Sequence, residues 1–266
     1  MFDIILEDST IFIKFFKFVE NIVKECILDI SDQGLKIYNL TSDLTSFFSL
    51  FISRSDFLQY SYNKPIKINV NIKDMVKVFK RTSERWNVQI SYDEKNIDEL
   101  NIKLIEKETN YFRNFSIKPL YQFQPINIEH FENITFPNKI KIPFIKFEDI
   151  IADADEFSEI LRFNLSENKL ILSSIGIAGK TKTEFTKNFS FIEDFNYHDD
   201  VDNEYPVSKL KTLKSLKKFS TLITINIANN GPIKIELDLL KLSRFVYYIA
   251  PRAEDIDDNN DYFEIH

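Results

Sequence analysis

The chain has 266 residues, a formal net charge of −7, 44% hydrophobic and 28% charged residues, and only four glycines, one cysteine and three histidines. This is the balance of a folded chain. Four glycines leave no Gly-rich phosphate loop, and one cysteine with three scattered histidines leaves no zinc site. Cys26 has no internal disulfide partner, which fits a reducing compartment. No apolar run reaches the roughly 18 residues of a membrane span, and the start MFDIILEDST lacks the blocks of a signal peptide. The composition points to a binding protein without metal or cofactor rather than to an enzyme.

In chain order, the three- and four-residue recurrence of Phe12, Phe15, Phe16, Val19, Ile22 and Val23 predicts a helix over 9–24, capped by Ser9 or Thr10. Lys14, Lys17, Asn21 and Lys24 fall on its far side. A second helix is expected over 72–81, with Met75, Val76 and Phe79 inward and Lys73, Lys77, Lys80 and Arg81 outward. Residues 119–137, punctuated by Pro119, Pro125 and Pro137, show no helical period and read as an extended surface connector. A third helix, near 144–159, is acidic. A fourth, over 207–219, sets Leu210, Leu213 and Leu216 against Lys211, Lys214, Lys217 and Lys218. Most of the remaining chain alternates with the period of strands.

Charge is segregated among these segments. The first, second and fourth helices carry net +2, +3 and +5, the third −5, which leaves −12 for everything else. A lysine stripe on one helix is ordinarily a solvated face; three in one acidic chain point to an anionic partner. The chain also repeats itself. Phe12, Phe15, Phe16, Val19 and Ile22 recur 135 positions on as Phe147, Ile150, Ile151, Ala154 and Phe157, and SDQGLKIYNL (31–40) matches SENKLILSSI (166–175). KRTSERWNVQI resembles KKFSTLITINI at an offset of 137. The expected architecture is α+β: two similar domains, 1–118 and 138–266, each with two helices on antiparallel sheet, joined by the connector 119–137 and ending in an acidic tail.

Several local features then align with one family. The initial Met-Phe, Phe57 and Tyr60 in RSDFLQY, the segment INVNIKDMVKVFKR, and Tyr247-Tyr248-Ile249-Ala250-Pro251-Arg252 before the acidic tail resemble, in order and spacing, the proliferating cell nuclear antigen (PCNA) family of sliding DNA clamps. The resemblance implies a DNA clamp fold assembling into a pseudo-sixfold ring, usually a trimer of identical or different chains, that encircles double-stranded DNA without reading sequence. It implies DNA contacts at Lys14, Lys77 and Lys80; helical phase adds Lys17, Lys73, Arg81, Lys211, Lys214 and Lys218. Asp149 and Ala152 stand where the family places basic residues, so an uneven lining is expected.

By the same resemblance, clients insert a short aromatic-ended helix into a pocket formed by Leu40, Leu44, Phe47, Ile126, Ile128, Pro232, Tyr248, Ala250 and Pro251. A strand at 111–118 of one chain, carrying Tyr111, Arg113 and Phe115, pairs with one at 178–186 of the next, carrying Lys180, Lys182 and Glu184. Implied partners are a clamp loader, a DNA polymerase, a flap endonuclease and a ligase, in the cytoplasm of an archaeon or the nucleus of a eukaryote. Two other readings are a clamp-fold scaffold or checkpoint-type heteromeric subunit that does not stimulate a polymerase, and a metal-dependent nuclease using ADADE (152–156) or EDIDDNND (254–261). Solvated charge accounts for both acidic runs more simply.

Overall fold

A computed structural model describes residues 1–121, 125–240 and 242–252. The first half runs β1 (Phe2–Leu6), α1 (Thr10–Val19), β2 (Glu25–Ile30), β3 (Gly34–Leu40), β4 (Ser46–Ser53), β5 (Phe57–Tyr62), β6 (Ile66–Asn71), α2 (Ile72–Phe79), β7 (Trp86–Tyr92), β8 (Leu100–Glu106) and β9 (Phe112–Ile117). After α3 (Ile128–Glu132) the second half follows. It contains β10 (Asn138–Pro143), α4 (Phe144–Phe157), β11 (Ile160–Ser166), β12 (Lys169–Gly176), β13 (Gly179–Thr186), β14 (Asp194–Asn196), β15 (Val201–Pro206), α5 (Val207–Lys211), β16 (Leu222–Ile227), β17 (Ile233–Asp238) and β18 (Arg244–Ile249).

The two halves use one topology. Strand order β5-β1-β7-β8-β9 in a five-stranded sheet is repeated as β14-β10-β16-β17-β18, and β4-β3-β2-β6 is repeated as β13-β12-β11-β15. Two of these four units merge, because β18 pairs antiparallel with β4 from Arg244↔Phe51 to Ile249↔Ser46, giving one nine-stranded sheet. The equivalents of that pair, β9 and β13, are each the last strand of their own sheet. Gly34 enters β3 at φ +146°, where a Cβ would lie 2.1 Å from the Ile52 carbonyl oxygen, so no side chain fits there.

The helices pack side by side in the order α2, α1, fourth helix, α4. The α1–α2 seam is aromatic: Phe79 stacks on Phe12 at 5.2 Å and on Phe16 at 5.5 Å, all three almost fully buried. Phe18 of α1 meets Phe245 and Tyr247 of β18 edge-on at 5.1 and 5.5 Å, so the core runs unbroken from one half into the other. Among the described residues no helix is long and apolar enough to cross a membrane.

Several local expectations are corrected. Helix α1 stops at Val19 rather than Lys24, because the Ile22 and Val23 amides both turn back to the Val19 carbonyl at 2.9 Å. Its first turn is capped by Asp8, which accepts the Thr10 amide at 2.8 Å, while the Ser9 hydroxyl donates to the Ser83 carbonyl instead. In α2, Val78 is buried and Val76 only partly so; Asn71 caps this helix by accepting the Lys73 amide at 2.9 Å. The fourth helix divides into α5 and a 3₁₀ segment, Thr212–Leu216. The connector is not wholly extended: Ile128 and Phe131, three apart, share the inner face of α3. The acidic tail, including 254–261, lies outside the described residues.

Candidate nucleic-acid interface and docking groove

Alternate residues of a strand point to opposite faces, and the nine-stranded sheet uses both. Phe48 joins the main core beneath the helices, whereas Phe47 faces the other way, into a second apolar cluster with Ile27, Tyr38 and Tyr248. Strand register aligns Leu40, Phe47, Tyr248 and Lys234 in one row across β3, β4, β18 and β17. The connector lies over this row. Ile126, Ile128, Phe131, Ile134 and Phe136 pack on it, with Phe131 stacked on Phe47 at 4.2 Å and nearly parallel. Phe136 approaches Tyr248 at 6.1 Å, and the Lys234 ammonium lies 5.8 and 5.9 Å from the Phe136 and Tyr248 ring centres. An ion pair, Lys36–Glu132 at 2.5 Å, ties α3 to β3. Burial, reinforced by Glu236 and Glu132, pushes the Tyr248 hydroxyl up to about 12, so it stays a neutral donor.

Five of the pocket residues therefore meet: Leu40, Phe47, Ile126, Ile128 and Tyr248. Pro232 and Ala250 flank the last register pair, Ile233↔Ile249, and with Pro251 are half-exposed at the same end of the sheet. Leu44 stands apart. It is 72% exposed, at φ +58°, on the β3–β4 turn, outside the apolar cluster. That turn is pinned by Asp43, which accepts the Thr41 and Thr45 hydroxyls at 2.6 and 2.8 Å and pairs with Lys209 of α5. Burial raises the Asp43 carboxyl, but the hydrogen bonds from Lys209, Thr41 and Thr45 outweigh it and hold it well below the usual carboxylate range. The Ala250 amide donates to the Thr45 carbonyl at 2.8 Å, joining the turn to the end of β18. Sequence reasoning missed Phe131, Phe136 and Asp43. The i, i+3 spacing of Ile128 and Phe131 was the available signal for the first.

On the helix layer, Lys17, Lys73, Lys80 and Arg81 are exposed with no ion-pair partner among the described residues, and Lys77 is exposed beside Asp74 at 2.8 Å. Lys14 departs from expectation. It is half-buried, donates to the Lys218 carbonyl at 2.9 Å and lies 5.3 Å from the Phe219 ring, so it closes the end of the fourth helix. Lys211 pairs with Asp155, while Lys214 is half-exposed and Lys218 exposed.

On the edge strands β9 and β13 lie the expected subunit-contact residues: Arg113 of β9 lies over the Trp86 ring at 4.5 Å and donates to the Arg81 carbonyl. Phe115 packs on the core, and Tyr111 is exposed. Along β13, Lys180, Lys182 and Glu184 are all exposed, with Lys182 and Glu184 3.5 Å apart.

Residues 1–128 match the family model described as the proliferating cell nuclear antigen N-terminal domain. Along nearly the whole chain there is similarity to a DNA polymerase sliding clamp of Methanothermobacter thermautotrophicus, 27% identical over 96% of this chain and 99% of the relative. DNA polymerase sliding clamp 3 of Sulfurisphaera tokodaii is 26% identical over 93% and 98%. Proliferating cell nuclear antigen 1 of Plasmodium falciparum is 22% identical over 96% and 98%. A doubled α+β topology, a cationic helix layer on one face and an apolar groove under the connector on the other accompany this end-to-end similarity to sliding clamps, and residues 1–128 carry the proliferating cell nuclear antigen N-terminal domain.

Proposed function

We propose that this chain is a sliding clamp: a ring-forming, non-catalytic protein that encircles double-stranded DNA and tethers a DNA polymerase to it. The observation that carries the reading is the doubled topology, in which the internal β18–β4 junction has two equivalent edge strands, β9 and β13, that are not joined to each other. Within one chain β18 joins β4; the equivalent strands β9 and β13 lack that neighbour. Pairing β9 of one chain with β13 of the next repeats the internal junction, and a head-to-tail contact of this kind closes into a ring. Three chains give six like units. Tyr111, Arg113 and Phe115 then approach Lys180, Lys182 and Glu184, and the edges of β9 and β13 are covered.

The helix layer lines the hole. Its lysines attract phosphates by charge, a contact that carries no sequence information. On the outer face the groove takes a short client helix whose aromatic side chains displace or join Phe131 over Phe47 and Tyr248, in the manner of helix-in-groove recognition. A polymerase, a flap endonuclease and a ligase would share this groove in turn, after a clamp loader has opened the ring. Domains 1–118 and 138–266, joined by 119–137, are the units of that ring.

Native mass spectrometry combined with primer extension on a circular template tests the reading. We expect a particle with the mass of three 31.5-kDa chains, and longer products from a cognate polymerase when it is present. A particle of one chain that leaves product length unchanged would contradict it.

A further inference from the structure

Both helix pairs bury apolar side chains, but among the described residues ion pairs bridge only the second, and this decides which charges remain to meet DNA. In the first half the α1–α2 seam is made by Phe12, Phe16 and Phe79, so Lys17, Lys73, Lys80 and Arg81 are left free. In the second half, besides the buried apolar side chains, ion pairs bridge α4 and the fourth helix. Lys211 pairs with Asp155 and Lys217 with Glu148, at 3.2 Å, as the two segments run past each other in opposite directions. A third lysine, Lys209, is held by Asp43. Meanwhile Asp149, Asp153 and Glu156, spaced four and three apart, form one exposed stripe on α4 with no ion-pair partner among the described residues.

We infer that the duplex is gripped by the first half of each chain, through α1 and α2, while the acidic stripe of α4 keeps phosphates away from the second half. The inference rests on the clamp reading above. Its physical basis is short range: at physiological salt, charges more than about 8 Å apart are screened, so an exposed carboxylate stripe governs the phosphates that pass directly over it. Each ring then carries alternating gripping and repelling sectors, and DNA leans toward the gripping ones. This also limits how many phosphates are held at once, which keeps the ring mobile along the duplex.

The test is a salt titration of binding to a fluorescent blunt duplex, with the full-length protein and three paired variants. For B-DNA the slope of log affinity against log salt changes by about 0.9 for each phosphate that the protein neutralises. Lys73→Ala with Lys80→Ala should flatten the slope by about 0.9 for each phosphate no longer neutralised. Over a fourfold change in salt, each such phosphate corresponds to roughly three- to fourfold in affinity. Lys214→Ala with Lys218→Ala should flatten the slope by less than half as much. Asp149→Lys with Asp153→Lys should steepen it and tighten binding, because the second half then neutralises phosphates as well. Equal flattening by the two lysine pairs, or no response to the α4 reversal, would overturn the inference while leaving the clamp reading intact. A wild-type protein whose duplex binding ignores salt would remove the clamp reading itself.

Discussion

Tyr248 shows how a single side chain joins the sequence signature to the groove. It is the second residue of the Tyr-Tyr-Ile-Ala-Pro run, its ring is framed by Phe47, Phe131 and Phe136, and its hydroxyl is kept protonated by burial. Buried aromatic anchors of this kind dominate binding energy. Tyr248→Ala together with Leu40→Ser should therefore weaken binding of a QxxΦxxFF peptide by at least about thirtyfold, roughly 2 kcal/mol, in calorimetry. The native mass should not change. Undiminished peptide binding would remove the groove as the docking site.

Asp43 is the second informative residue. Its carboxyl titrates below the ordinary unfolded value of about 3.9, so the stabilisation it supplies is present above that pH and is lost as pH falls toward the folded value. The pair with Lys209 is half-exposed on the Asp43 side, which limits its worth to about 1 kcal/mol or less. Asp43→Asn should thus lower the melting temperature by no more than a few degrees at pH 7, and the gap from wild type should close below about pH 4. A gap that persists or widens on acidification would contradict this role.

At the scale of elements, the α1–α2 seam offers a sharp test of packing. Phe79 is 1% exposed and stacked between Phe12 and Phe16, so Phe79→Ala leaves a cavity that neighbouring rings cannot fill. A loss of about 3–5 kcal/mol in denaturant unfolding is expected. A loss under about 1 kcal/mol would show that this seam does not organise the helix layer. The apolar periodicity that marks α1, α2 and α4 was legible in the sequence because each buries one continuous stripe. The end of α1 was not legible: Ile22 and Val23 continue the period, yet they pack from a turn rather than from helix. The connector failed for the opposite reason. Prolines hid a five-residue helix whose only cue was Ile128 and Phe131 on one face.

At the scale of the molecule, the repeat at an offset near 135 places β3 over β12 and α1 over α4, as the sequence pattern implies. The doubling of the fold could be read in outline from that repeat, whereas the strands expected at the subunit contact, 111–118 and 178–186, came from the family resemblance. The merger of β18 with β4 could not be read, because nothing in either strand names its partner; register emerges only from which faces are buried on both sides. Nor did the lysine stripes reveal which cations are tied up inside the chain. Lys14, Lys211 and Lys217 were expected on solvated helix faces, and each is engaged by another segment.

A clamp holds DNA by surrounding it rather than by affinity for its surface. The most direct measurement loads the protein onto a nicked circular duplex, washes with high salt, and then cuts the circle with a restriction enzyme. A closed ring should persist on the intact circle, where phosphate contacts are screened but the ring cannot leave, and should be released once an end is made. Equal retention on cut and intact DNA, or equal loss from both, would contradict encirclement.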